Sequence, residues 1–282
     1  MIKVLDAGFY STIQDLGRFG YREYGVPISG VMDGYSSGFA NMVLGNPENA
    51  PVIEMTMIGP KLKFMEAAHI AIAGAKLNIF INGLRVNLHG PVSIKANDIL
   101  SFGRINKGFR AYLAIAGGFK SEKVLGSQSM YQGITEQVRL QKNDVLFFSS
   151  NTFQTKNKNA SVRFDNSVLD SSMLEVFEGP EYKFLTQVQQ KQLTHSEFTV
   201  SKNNNRMAYQ LQELLENNIQ SILTAPVLPG TVQLTASGQL IILMRDCQTT
   251  GGYPRILQLT ENAIAMLSQK TTGNAVKFSL KG

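Results

Sequence analysis

Short β-rich stretches, each closed by glycine, asparagine or proline, set the limits on what this chain can fold into. Residues 2–8 (IKVLDAG) open the pattern. Stretches 69–73, 77–81, 84–88, 92–95 and 99–102 continue it, followed by 111–116, 145–149, 174–177, 197–201, 231–235, 239–244 and 263–267. Many short strands at even spacing call for a sandwich or a barrel. Asn82-Gly83 stands between two such runs and predicts a two-residue hairpin. Helices are few. Asp33 is a fitting N-cap for a helix to about Leu44, with Tyr35, Phe39, Met42 and Val43 on one face and Gly45 at the C-terminal cap. A second short helix is expected over 181–193. Residues 150–171 are polar, rich in Ser and Asn, and read as a link between residues 1–155 and 165–282.

Two segments carry polar groups that core packing does not require. Residues 14–33 (QDLGRFGYREYGVPISGVMD) hold four glycines and one proline. That composition suits a backbone that turns repeatedly, either as an irregular loop or as a frame for polar side chains. Residues 246–256 (DCQTTGGYPRI) follow the apolar stretch 240–244. They offer carboxylate, amide and hydroxyl groups, then Gly251-Gly252, where the backbone can turn tightly or approach a ligand, and Tyr253-Pro254 as a stiff exit. A polar turn with a structural aspartate is the competing reading.

Composition narrows the function. The chain has 282 residues, 43% of them hydrophobic, so a packed core is expected rather than disorder. The single cysteine, Cys247, cannot close an internal disulfide, and a reducing cytoplasm is the expected compartment. Its neighbours give no reason for a reactive thiolate. Neither a signal peptide nor a membrane span is visible. The net charge of +6 is scattered, with Lys156 and Lys158 clustered in a polar segment, so an anionic ligand or acidic partner fits better than nucleic acid. No dinucleotide fingerprint or P-loop occurs. Gly34-Tyr35-Ser36-Ser37-Gly38 fits G-x-S-x-G, but Ser36 falls in the first turns of the Asp33 helix and the chain lacks the βαβ alternation of a nucleophile elbow. His69, His89 and His195 are too scattered for a metal site. His69 reads as a hydrogen-bonded core residue, the other two as surface or turn residues.

The 14–33 run resembles the opening of the family known as allophanate hydrolase subunit 2, the 5-oxoprolinase C-subunit, or the biotin-dependent carboxyltransferase family. The similarity continues through 41–60 (NMVLGNPENAPVIEMTMIGP), 111–119 (AYLAIAGGF), 124–130 (VLGSQSM), 204–211 (NNRMAYQL), 229–234 (PGTVQL) and 246–256. The blocks come in family order and span nearly the whole chain. The resemblance implies a mainly β fold of two related cyclophilin-like β-barrel domains with a few short helices. It also argues against a helix over 206–219, despite helical spacing at Met207, Leu211 and Leu215. Echoes within the chain agree with paired barrels: 53–64 with 174–184, and 94–100 (IKANDIL) with 140–146 (LQKNDVL).

The same resemblance implies a subunit that works with a related β-barrel partner, of the 5-oxoprolinase B-subunit or allophanate hydrolase subunit 1 type, and in one branch with a third subunit. One branch is an ATP-dependent 5-oxoprolinase, which opens a lactam to glutamate, with ATP bound in the complex and not necessarily by this chain. Another is the carboxyltransferase part of urea carboxylase. A third relieves a histidine kinase of its inhibitor without catalysis. The chain holds no carboxylase or biotin-carrier domain, so the first branch fits best. Arg18, Asp33, Arg206 and Asp246 are the catalytic candidates. Arginine is a planar fork for a carboxylate-like anion, while Asp33 can orient an amide, transfer a proton, or only cap the helix. For Arg206, a plain surface arginine is the competing reading. Gln14, Ser29, Asn205, Gln248, Thr249, Gly251, Gly252 and Tyr253 are the substrate-binding candidates. Gln128 stands where relatives carry a basic residue, and Ala208 where they carry glycine.

Overall fold

The computed structural model describes residues 1–86, 90–149 and 163–281. His89, Lys156, Lys158 and most of the polar link lie outside the described residues. The chain forms two compact units. Unit 1 comprises Met1–Gly17 and Asp33–Asn166, and unit 2 comprises Arg18–Met32 and Ser167–Gly282. Residues 18–32 thus leave the first unit and belong to the second.

Unit 1 runs β1 (Ile2–Asp6), β2 (Tyr10–Gln14), α1 (Gly34–Leu44), β3 (Val52–Thr56), β4 (Lys61–Phe64), β5 (Ala68–Ile81), β6 (Leu84–Val86), β7 (Val92–Ile94), β8 (Ile99–Ile115), β9 (Phe119–Lys120) and β10 (Val145–Phe148). They make a ten-stranded sheet in the order β2-β3-β8-β4-β1-β10-β9, with β5 paired to β8 and carrying β6 and β7. Ile2, Val4, Ile13, Ile53, Met55, Leu62, Phe64, Leu113 and Ile115 fill its core. Alternation along β2, β3 and β8 puts Ile13, Ile53 and Leu113 in register on that core face.

Two pairs of expected short strands are single long ones. Stretches 69–73 and 77–81 both lie in β5, and 99–102 and all but the last residue of 111–116 lie in β8. The breaks read from sequence are bulges, where the β5–β8 register shifts between Gly74 and Ile79. Gly74 has φ +92°, and a Cβ there would stand 2.7 Å from the Arg110 carbonyl oxygen, so only glycine fits. The Asn82-Gly83 turn joins β5 to β6, both residues having positive φ, as a type I′ hairpin turn requires.

Unit 2 runs α2 (Ser167–Asp170), β11 (Met173–Glu178), α3 (Gln187–His195), β12 (Phe198–Asn204), β13 (Ala208–Leu214), β14 (Ala225–Pro226), β15 (Thr231–Leu234), β16 (Gln239–Leu243), β17 (Thr250–Gly251), β18 (Arg255–Leu259), α4 (Glu261–Ser268) and β19 (Ala275–Leu280). Seven strands close a barrel in the order β11-β18-β15-β16-β13-β12-β19, with β11 and β19 parallel. Its core includes Leu174, Val176, Phe198, Tyr209, Leu240, Ile242, Phe278 and, from the 18–32 segment, Met32. The fold is the one expected: mainly β, two barrel-type units of cyclophilin-like kind and few helices.

α1 is capped as its sequence dictates. Asp33 Oδ1 accepts from Ser36 N at 2.9 Å, and Gly45 ends the helix in the left-handed conformation. Ser36 lies in the first turn, which removes the nucleophile-elbow reading. The helix expected over 181–193 is a 3-10 turn at Tyr182–Phe184 followed by α3, which opens with a Thr186–Gln189 capping box. Residues 208–214 form β13, not a helix. The strand expected at 263–267 is instead the helix α4. Thr260 accepts from Ala263 N as its N-cap, and Ala263, Ile264 and Leu267 pack inward at helical spacing. Within the expected link, α2 buries Val168 and Leu169.

The echo of 94–100 in 140–146 is one turn used twice within unit 1. Asn97 and Asn143 both have positive φ, and their N–H groups donate to Phe64 and Val4. Asp98 accepts from Lys95 N at 2.8 Å, and Asp144 accepts from Gln141 N at 2.7 Å.

Candidate functional site

Each unit holds its own group of buried polar side chains. In unit 2 the group begins at Asp246, just past the end of β16. Arg206 Nε donates to Asp246 Oδ2 at 2.8 Å, and its Nη2 donates to Asp246 Oδ1 at 3.1 Å and to the Gly30 carbonyl at 2.6 Å. Arg206 is therefore a buried, forked arginine and not a surface one. The segment that supplies Gly30 is tied down beside it, with Ser29 N donating to the Arg245 carbonyl at 3.0 Å. Ser29 is fully buried with φ +56°, a left-handed conformation uncommon for serine, and its Oγ has no partner among the described residues.

Arg22 bridges from the same segment to the carbonyls of Val227 and Thr249. Val227 N donates to the Thr249 carbonyl at 3.1 Å, and the short β14–β17 ribbon continues from there. Gln233, on β15, is 1% exposed, and its Nε2 lies over Gly251, 2.5 Å from where a Cβ would stand. Gly251 thus gives room to an internal amide. Neither Gln233 Nε2 nor Gln248 Oε1 has a partner among the described residues. Glu181 takes Arg255 in a two-pronged pair, Nε to Oε2 at 3.0 Å and Nη2 to Oε1 at 2.9 Å. The Arg255 hydrogen bond holds the Glu181 carboxyl below its ordinary value. Burial pushes the Cys247 thiol up to about 11, so it is no nucleophile, as its sequence neighbours indicated.

Unit 1 buries a second group on the face of β2, β3 and β8 opposite the hydrophobic core. Thr12, Glu54 and Tyr112 stand side by side across the three strands, next to Tyr10, Thr56 and Arg110. Arg110 Nε lies 3.8 Å from Glu54 Oε1, with both side chains at most 2% exposed. Asp33 N donates to the Tyr112 hydroxyl at 2.8 Å, so the start of α1 is anchored to this row. Asp33 Oδ2 accepts from Ser36 Oγ at 2.5 Å. Burial, then the charges of Glu54 and Asp33, raise the Tyr112 hydroxyl well above its ordinary range. Gln14 donates to Thr12 Oγ1 and to the Met130 carbonyl, both at 3.1 Å. Asp15 gathers Ser127 Oγ, Ser129 Oγ, Gly17 N and Gln128 N. Gln128 lies with its Nε2 3.1 Å from the Ser121 carbonyl.

Unit 2 therefore gathers Ser29, Arg206, Asp246, Gln248, Thr249 and Gly251 of the sequence candidates. Arg18 belongs to the same unit, is 1% exposed, and donates its backbone N–H to Ile28 at 2.7 Å. Asn205 is exposed, with its Oδ1 accepting from Met207 N and Ala208 N in a local turn. Gly252 accepts from Ile222 N at 3.0 Å, and Tyr253 is exposed. Gln14 and Asp33 belong to unit 1. Sequence reasoning missed Gln233, Arg22, the Glu181–Arg255 pair, Asp15 and the Glu54–Arg110–Tyr112 row. Gln233 lay in plain view within PGTVQL, Asp15 and Arg22 within the 14–33 run and Arg255 within 246–256, but nothing in their spacing pointed to these contacts. His69 is half-buried with Nδ1 3.2 Å from Ser93 Oγ, and His195 is exposed. No group of three or more metal-ligating side chains occurs among the described residues, and no described helix is long and apolar enough to cross a membrane.

Residues 24–280 match the family described as carboxyltransferase domain, subdomain A and B. The chain is 33% identical over 284 residues to the 5-oxoprolinase C-subunit of Escherichia coli strain K12, covering 99% of this chain and 90% of that one. It is likewise 33% identical over 287 residues to the 5-oxoprolinase C-subunit of Haemophilus influenzae, again covering 99% and 90%. Among solved structures, the urea amidolyase of K. lactis superposes with a TM-score of 0.87 at 27% identity, over 98% of this chain but 18% of that one.

Proposed function

We infer the function of this chain from one premise: it belongs to the carboxyltransferase family, subdomains A and B. We propose that it is a subunit of a heteromeric, ATP-dependent 5-oxoprolinase that opens the 5-oxoproline lactam to glutamate, working with a related β-barrel subunit and a third chain. The observation that carries this is the end-to-end match with the 5-oxoprolinase C-subunit, which covers both chains almost fully. The urea amidolyase match covers a small part of a much longer protein, so a urea-directed reaction has less support.

Two arginines of unit 2 are already closed on carboxylates, Arg206 on Asp246 and Arg255 on Glu181, and phosphate would have to displace them. We therefore assign ATP to the rest of the complex. The contribution of this chain is to hold the substrate and meet charge. Attack on a lactam carbonyl drives negative charge onto oxygen, and fixed donors lower that barrier. Arg206, locked by Asp246 and the Gly30 carbonyl, is a fixed cation that needs no rearrangement. Arg18, buried in the same unit, is the second candidate.

The test is glutamate release from 5-oxoproline and ATP by the complex recovered on a tagged copy of this chain. Wild type should form glutamate only with ATP. Arg18→Ala should lose about 100-fold or more in turnover, the scale of losing one fixed donor, while the subunits still co-purify. Wild-type turnover in that variant would take Arg18 out of the site. Co-purification without any glutamate would replace the enzyme reading with the regulatory one or with a different amide substrate.

A further inference from the structure

Unit 1 contains a cleft that none of the sequence candidates lines. Its volume is about 700 Å3, the size of pocket that holds a drug-sized ligand. Strand β5 supplies one wall. One edge of β5 is paired with β8 along the strand. The other edge is paired with β7 only over residues 68–70 and with β6 only over residues 79–81. Between them, no described strand takes the backbone groups of residues 71–78, and all eight of these residues line the cleft. An unpaired strand edge is a row of N–H and C=O groups open to a ligand. The bulges between Gly74 and Ile79 fall in this stretch, and bulges recur where a strand stops pairing and re-aims its side chains.

Three cations line the same cleft: Lys76 on β5, Arg85 on β6 and Arg163 ahead of α2. No aspartate or glutamate lines it, and none of the three cations has a side-chain partner among the described residues. Charge of one sign in a cleft with apolar walls concentrates the field there and draws in anions. The apolar wall comes from α1 and from the segment that follows Arg163. Phe164 packs edge-on against Phe39 with ring centres 5.2 Å apart, and Asp165 N donates to the Tyr35 hydroxyl at 2.8 Å. Arg163 thus stands on a segment pinned to the helix, and Phe39, Val43 and Phe164 face the cleft beside it. We propose that this cleft binds a small organic anion with an apolar body: an aryl or alkyl phosphate, or a polycarboxylate, with two or more negative charges. The cations meet the charged groups, each guanidinium offering a planar fork to phosphate or carboxylate. The two phenylalanines and Val43 cover the body, and the open edge of β5 takes further polar atoms. Singly charged 5-oxoproline is a poor match for three cations. The cleft is a ligand site of unit 1, whereas the Arg206–Asp246 group belongs to unit 2, and it does not rest on the 5-oxoprolinase reading.

Charge and apolar body can be tested apart. The full chain, labelled with 15N, is titrated with 1-naphthyl phosphate well above its second phosphate pKa of about 6, so that it carries close to two charges. 1-Naphthol and inorganic phosphate each present one half of that molecule. Naphthyl phosphate should shift the backbone amides of residues 71–78, and each half should bind about tenfold or more weakly, as two separate contributions require. Lys76 and Arg85 are exposed, so Lys76→Gln and Arg85→Gln leave the fold in place. Together they should raise the Kd for naphthyl phosphate about tenfold, the scale of two solvent-accessible charge contacts, with naphthol binding unchanged. Added salt should weaken the wild type more than the double variant. An unchanged Kd in the double variant would overturn the assignment, as would the absence of any shift at residues 71–78. Naphthol binding as tightly as the phosphate would reduce the cleft to an apolar hole, and inorganic phosphate doing so would reduce it to a patch of charge; either result sinks the proposal. The last arm uses the assembled complex. Naphthyl phosphate should bind there as it does to the chain alone; if it is shut out, the cleft is a subunit interface and not a small-ligand site. Glutamate formation by the complex is unaffected by any of these outcomes and tests the proposed function separately.

Discussion

Asp246 and Glu181 each hold an arginine in a two-pronged grip, but the two pairs answer to different tests. The Arg206 fork is shared between a carboxylate and the Gly30 carbonyl and is almost fully buried. Asp246→Asn keeps the shape and removes the charge, leaving a buried guanidinium half-answered. We predict a loss of about 3 kcal/mol in urea unfolding, the range for breaking one side of a buried pair. A loss below about 1 kcal/mol would mean that the pair is solvated. Glu181 gives a pH signature instead. Its carboxyl is held below the ordinary value by the Arg255 hydrogen bond. A depressed carboxyl binds fewer protons folded than unfolded, so its stabilisation is fully present above the unfolded value. It disappears as pH falls from about 4.5 through the lower folded value. Glu181→Gln should therefore flatten the stability curve of unit 2 in that acid window. An unchanged acid limb would show that Arg255 does not hold the carboxyl in solution.

At the scale of elements, the two helix starts show what local sequence can and cannot reveal. α1 was legible because its signals are local: Asp33 to cap, Gly45 to stop, and a one-sided apolar face between them. α4 has an equally good cap in Thr260, but its apolar run also fits a buried strand over so short a length, and the strand reading hid the cap. The hairpin at Asn82-Gly83 was legible for the same local reason. The Glu54–Arg110–Tyr112 row was not, because it exists only through the register of three strands far apart in sequence. The burial of Gln233 is likewise set by a neighbour, Gly251, eighteen positions on. Asp33 remains the residue where two roles compete, since the structure gives it a full capping geometry. Serine caps a helix about as well as aspartate but carries no charge. Asp33→Ser should hold stability within about 0.5 kcal/mol, because the cap survives. If Asp33 also transfers a proton or orients an amide, glutamate formation by the complex should fall about 100-fold, the scale of general acid–base catalysis. Full activity in Asp33→Ser would leave Asp33 as a cap alone.

For the whole molecule, the telling fact is that unit 2 is not a contiguous piece of chain. Its barrel runs from Ser167 onward, yet residues 18–32 belong to it. No sequence signal marks this, because glycine-rich turns look the same whichever core they serve. The segment is bound by unlike means along its length. Arg22 reaches the carbonyls of Val227 and Thr249, Ser29 N donates to Arg245, and Gly30 receives Arg206. Met32, fully buried, packs in the barrel core with Leu174 and Phe198. Removing the segment would expose a cavity at Met32 and strip the Arg206 fork of one acceptor. Filling a methionine-sized hole is worth about 2–5 kcal/mol, a large part of the stability of a domain this size. We therefore predict that a fragment of residues 165–282 alone is unstable or molten. The same fragment with residues 18–32 joined by a flexible linker should unfold cooperatively, with a higher urea midpoint. The mixed variant, in which the joined segment carries Met32→Ala, should fall between the two. If the bare fragment proves as stable as the joined one, the 18–32 segment merely rests on the barrel, and Arg206 is held without the Gly30 carbonyl.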